Sequence, residues 1–122
     1  MFDHQEGAVM KVRFWVVAKT NLRGSLNKHL DSDQSRSNDN AYYPVKLAKQ
    51  KKGDRPEGWS WVRSRYQGKG SVRYRWNYKL KILECWAVTK EGNRPFQIIG
   101  EFVETVLNSQ KHKVKSIHIE VG

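Results

Sequence analysis

Ser71-Val72-Arg73-Tyr74-Arg75-Trp76-Asn77-Tyr78-Lys79-Leu80-Lys81-Ile82 alternates between apolar and polar side chains for its whole length. Side chains on a strand point to opposite faces in turn, so this pattern predicts a strand over 71–82. Val72, Tyr74, Trp76, Tyr78, Leu80 and Ile82 share one face, and Arg73, Arg75, Asn77, Lys79 and Lys81 share the other. The alternation slips at Ile82-Leu83, where a bulge or bend would turn Leu83, Cys85 or Trp86 toward the core and carry the strand on to about Val88. Upstream, residues 59–67 read as the partner strand of a hairpin closed by Gly68-Lys69-Gly70. Val62 and Tyr66 then join the apolar face.

Strands flank this hairpin at a distance in sequence. Met10, Val12, Phe14, Val16 and Ala18 alternate within residues 10–19 and predict a first strand. Ile117, Ile119 and Val121 alternate with Ser116, His118 and Glu120 and predict a last strand over 114–121. That last strand could pair beside either the first strand or the third. Between the hairpin and the last strand, Phe96, Ile99, Val103, Val106 and Leu107, widened by Phe102, recur at helical spacing. They predict a packed helix over 95–110, with Pro95 in its first turn and Asn93 or Arg94 at its cap.

Residues 20–58 have a different character. Leu22, Leu26 and Leu30 fit a short helical turn, but Asp31 to Asn40 is almost free of apolar side chains. Such a run cannot offset its ordering entropy by burial, which predicts a long mobile loop. Within it, Tyr42 to Leu47 suits a short edge strand, Pro44 arguing against a central place. The whole reads as one α+β domain over residues 1–122, in the order strand, long loop, two hairpin strands, helix, strand. Its antiparallel or mixed sheet would have about four strands.

The 122 residues carry a net charge of +11, and its placement matters more than its size. Residues 46–81 hold twelve Lys and Arg against Asp54 and Glu57 only, whereas the two flanking thirds are close to neutral. Concentrated basicity is the footprint of a polyanion site. Strand geometry then sorts it: Trp59, Trp61, Arg63, Arg65, Arg73, Arg75, Asn77, Lys79 and Lys81 fall on the face opposite the core. Like charges directly opposite each other cost roughly 0.2–1 kcal/mol per pair, and no acidic residue lies between Glu57 and Glu84 to relieve them. Guanidinium forks hold phosphate bidentately, and indoles offer bases a sequence-tolerant stacking surface.

These residues predict a non-enzymatic protein that binds RNA or single-stranded DNA on the hairpin face. Lys49, Lys51, Lys52 and Arg55 would add a basic arm from the loop. The bland reading is that the charges are the solvated side of a sheet. A rival reading is an adaptor docking an acidic protein or an anionic membrane surface, with Trp59 and Trp61 as anchors. The same indoles could also join strands in an oligomer.

Other chemistry is sparsely represented. His118 and Glu120 share a strand face without a third ligand at a characteristic spacing, so neither a metal nor a cofactor is expected. Cys85, the single cysteine, reads as buried and inert, and its solitude gives a reducing, cytoplasmic location as the default. Trp15, Trp76 and Trp86 read as core.

Overall fold

The structure, a computed structural model, describes residues 9–16, 21–34, 43–48, 58–65, 70–89 and 95–121. The elements are β1 (Val9–Val16), α1 (Leu22–Gln34), β2 (Val45–Leu47), β3 (Trp59–Ser64), β4 (Ser71–Asn77), β5 (Ile82–Val88), α2 (Phe96–Gln110) and β6 (Val114–Val121). The strands form one antiparallel sheet in the order β2-β3-β4-β5-β1-β6. The class is the α+β expected; among the described residues there are six strands where the sequence predicts about four, and two α-helices where it predicts one. The final strand pairs beside the first, not the third.

The missing strand is hidden in the stretch that alternates so regularly. β4 stops at Asn77, and the chain reverses through residues 78–81 before β5 runs back antiparallel. Asn77 makes the turn: its Oδ1 accepts the amides of Lys79 at 3.0 Å and Leu80 at 2.9 Å, while its carbonyl accepts the amide of Lys81 at 2.8 Å. Lys81 completes the reversal at φ 58, in the left-handed region that an L residue enters only at a cost. Tyr78 and Leu80 keep the apolar rhythm but stand 69% and 62% exposed. Periodicity therefore carries the predicted strand past the place where the backbone turns.

The second helix lies in the segment expected to be a loop. Leu22, Leu26 and Leu30 are fully buried, and Asn21 caps the helix start by accepting the amide of Gly24 at 3.0 Å. The helix runs on through Asp31 to Gln34 because its polar end has a partner from far along the chain. The Asp33 carboxylate, 1% exposed, accepts the Arg65 guanidinium at 2.8 Å.

The face of the sheet toward the helices carries the core. Met10, Val12 and Phe14 of β1 lie opposite Ala87, Cys85 and Leu83 of β5, and Val72 and Tyr74 of β4 continue the rows. Phe102 of α2 closes the centre, its ring 5.9 Å from Phe14 and 5.4 Å from Tyr74. Each such fully buried side chain contributes roughly 1.5–3 kcal/mol. The helix predicted over 95–110 is α2, with its buried stripe rotated from the one expected. Ile98, Ile99, Phe102 and Val106 are buried, and Phe96 is 55% exposed. Pro95 occupies the cap position itself; Asn93 and Arg94 lie outside the described residues.

Gly70 opens β4 at φ 79, where a Cβ would meet the Val88 carbonyl oxygen at 2.9 Å and Thr89 Cγ2 at 2.7 Å. Only glycine suits both the conformation and the approach.

Candidate functional site

The sheet face away from the helices is built of four cross-strand rows that the register defines. One row reads Lys46, Arg63, Ser71, Val88 and Val9 from β2 to β1. The next reads Trp61, Arg73, Trp86, Lys11 and, on β6, Glu120. The third reads Trp59, Arg75, Glu84, Arg13 and His118. The last reads Asn77, Ile82, Trp15 and Ser116. Indole and guanidinium groups thus alternate across β3, β4 and β5, with Arg73 between Trp61 and Trp86 and Arg75 beside Trp59.

The contacts follow from that placement. Arg75 lies 5.0 Å from the Trp59 ring centre and 5.4 Å from that of Trp86, and Arg73 lies 5.7 Å from that of Trp61. Trp59 and Trp86 approach to 5.0 Å between centroids, tilted by 50°. Arg75 Nε donates to Glu84 Oε1 at 3.0 Å. Arg13 Nη1 donates to Glu120 Oε1 at 2.7 Å on the other half of the face.

These pairs correct one premise of the sequence reading. Local sequence offers the arginines no acid, but the turn after β4 brings Glu84 directly opposite Arg75. Relief is uneven, however. Among the described residues, Lys46, Arg63 and Arg73 make no ion pair. Among the described residues the face is therefore divided into a basic and aromatic half on β2, β3 and β4, whose one ion pair is that of Arg75 with Glu84 across its border, and a half with as many acidic as basic side chains where β5, β1 and β6 meet.

Beneath the basic half lies a polar anchorage. Ser60, between Trp59 and Trp61, points toward the helices, where its hydroxyl accepts Arg23 Nε at 3.0 Å and Asn27 Nδ2 at 2.9 Å. Asn27 Oδ1 in turn accepts the buried Tyr74 hydroxyl. Arg23 also reaches the Trp59 carbonyl at 3.4 Å. Helix α1 thus fixes the strand from behind, and the two half-buried indoles stand on a braced backbone.

The residues singled out from sequence are distributed as follows. Trp59, Trp61, Arg63, Arg73, Arg75 and Asn77 share the open face, as expected. Arg65 does not: past the end of β3 its side chain turns to Asp33 and to the Tyr43 carbonyl, 2.8 Å from Nε, on the α1 side. Lys79 and Lys81 stand exposed on the turn, not on a strand. Lys49, Lys51, Lys52, Arg55 and Tyr66 lie outside the described residues.

Trp86 and Trp15, expected in the core, face outward instead, half-buried among the charges. The signal for Trp86 is present once β5 is separated from β4: Leu83, Cys85 and Ala87 alternate with Glu84 and Trp86. Trp76 does pack against the core.

Cys85 is buried, and burial pushes its thiol well above the ordinary range, with the Glu84 carboxylate adding to the effect. A thiol held in this way is a poor nucleophile. His118 lies 6.3 Å from Trp15, ring to ring, beside a shallow depression that Lys115, Ser116 and Ile117 also line. Among the described residues no three His, Cys, Asp or Glu converge as metal ligands, and no helix is long and apolar enough to cross a membrane. Comparison with protein-family models, with curated proteins and with solved structures finds no match.

Proposed function

We propose that this chain is a non-enzymatic binding protein for single-stranded nucleic acid, RNA or DNA, held on the β3–β4–β5 part of the open face. One observation carries the reading: indoles and guanidiniums alternate over adjacent rows, with Trp61, Arg73 and Trp86 beside Trp59, Arg75 and Glu84. Stacking surfaces beside phosphate ligands suit a polymer whose bases are exposed and whose charges repeat. A duplex hides its bases and would use only the charges. In this reading Arg63, Arg73, Arg75 and Lys46 meet phosphates, Trp59 and Trp61 meet bases, and Trp86 backs them.

Tryptophan fluorescence titrations with single-stranded RNA, single-stranded DNA and duplex DNA over a salt series test it. Each phosphate contact on a single strand contributes about 0.7 to the slope of log K against log salt. Replacing Arg73 and Arg75 together by alanine is expected to lower that slope by about 1.4. An unchanged slope and affinity would remove the proposed face. Saturation by an acidic protein or by anionic vesicles, with no polynucleotide binding at low salt, would make the same surface a docking site of another kind.

A substitution in the opposite direction is also informative. Glu84 already occupies Arg75 as an internal anion, so a phosphate must displace it. Glu84→Gln is expected to raise polynucleotide affinity roughly two- to fivefold, the worth of a partly exposed ion pair at the upper part of its range. Equal or weaker binding would mean that Glu84 holds Arg75 in place for the ligand instead of competing with it.

A further inference from the structure

The two edges of the sheet are finished differently. The β2 edge is three residues long, follows Pro44 and exposes Lys46, all of which discourage strand addition. The β6 edge is eight residues long and, among the described residues, pairs on one side only, with β1. Its one irregularity lies near its start, where the register shifts between Trp15 and Val16, and residues 116–121 pair without interruption. Ser116, His118, Ile119 and Glu120 are exposed, and Ile119 is one of the few large apolar side chains in solvent among the described residues, at 45%. An uninterrupted, partly apolar edge is a template for another strand.

The sequence of β6 selects the occupant. A twofold axis normal to the sheet sets residues of the same face opposite each other in an antiparallel pair, so the axis must pass through one residue position. Centred on Ile119, the pairing sets Ile119 against its own copy and places His118 opposite Glu120 twice, an apolar contact on one face and an imidazole N–H facing a carboxylate on the other. Centring on His118 would oppose two imidazoles, and centring on Ile117 would set Lys115 against Ile119. Only the first register is complementary to itself throughout.

We infer that β6 is a dimerisation edge, through which two copies join their sheets in antiparallel fashion about a twofold axis at Ile119. The helices of both copies then lie on one side and both open faces on the other. This inference does not depend on the proposed ligand; if that reading also holds, the two β4 strands stand roughly 34 Å apart on one continuous surface, at about 4.8 Å per strand.

Sedimentation velocity on the full chain over a concentration series is the test, joined to cysteine cross-linking. The wild-type chain should sediment as a dimer, and Ile119→Lys, which opposes two ammonium groups at the axis, should raise the dissociation constant roughly tenfold or more. His118→Glu should also weaken the dimer, and His118→Lys should keep it; both positions are exposed, and circular dichroism reports folding. Under mild oxidation Ile119→Cys should cross-link across the axis, whereas His118→Cys, which faces Glu120, should not. A wild-type chain still monomeric at about 100 µM, which would place the dissociation constant above that concentration, would overturn the inference. So would an Ile119→Lys chain as dimeric as the wild type, or cross-linking of His118→Cys alone.

Discussion

Asp33→Ala is expected to lower the unfolding free energy by about 3 kcal/mol, the low end of the range for breaking a buried ion pair. The carboxylate sits 1% exposed at the end of α1 and accepts the Arg65 guanidinium at 2.8 Å and the Tyr43 amide at 3.3 Å. Arg65 also donates to the Tyr43 carbonyl. One ion pair therefore ties the helix to the segment entering β2 and to the end of β3. Removing the acid leaves a guanidinium, 12% exposed, without its charge partner in a site water scarcely reaches. The low end of the range applies because that residual exposure hydrates part of the charge. Urea denaturation at neutral pH checks the value. The double replacement Asp33→Leu with Arg65→Met should recover much of the loss, since apolar side chains of similar volume need no counter-charge. A loss under about 1 kcal/mol for the single change would show that α1 is held mainly by its leucines.

Trp59→Ala with Trp61→Ala is expected to cost about 2–6 kcal/mol of single-strand binding, at 1–3 kcal/mol for each stacked base, leaving at most a few per cent of the affinity. Trp59 is the stronger of the two candidates. Its indole leans on Trp86 and under Arg75, so little further ordering is needed when a base arrives. Truncation removes an aromatic surface and no charge. The salt slope should therefore stay near the wild-type value while affinity falls, the reverse of the outcome for the two arginines. Fluorescence anisotropy of a labelled oligonucleotide gives both quantities. Binding equal to wild type by the doubly substituted, folded protein would separate the indoles from any ligand and return them to packing.

How far the sequence could be read depends on how local the deciding interactions are. β1, β6 and α2 announce themselves because one face of each meets apolar neighbours, and alternation or helical spacing records that directly. The open-face grouping of Trp59, Trp61, Arg63, Arg73 and Arg75 follows from the same alternation, which the register of β3 with β4 preserves. The reversal at residues 78–81 is different. Hydrogen bonds to Asn77 decide it, and Tyr78 and Leu80 continue the pattern of the strand they leave. With that turn unread, Glu84 and Trp86 stay at the far end of one long strand, and their arrival beside Arg75 and Trp59 cannot be seen. The polar end of α1 is obscure for a related reason. Asp31 to Gln34 has nothing locally to reward helix, and its anchor, Arg65, lies on another element and looks from sequence like a member of the open face.

The tilted pair formed by Trp59 and Trp86 has one more consequence, in optics. Two indole transition dipoles this close exchange excitation, and because the rings are neither parallel nor perpendicular the exchange has a handedness. The protein thus carries a chiroptical reporter at the centre of its basic face. Its sign and amplitude are set by the angle between two side chains, so a molecule that parts them or levels them changes the colour of the signal's asymmetry without any label being attached.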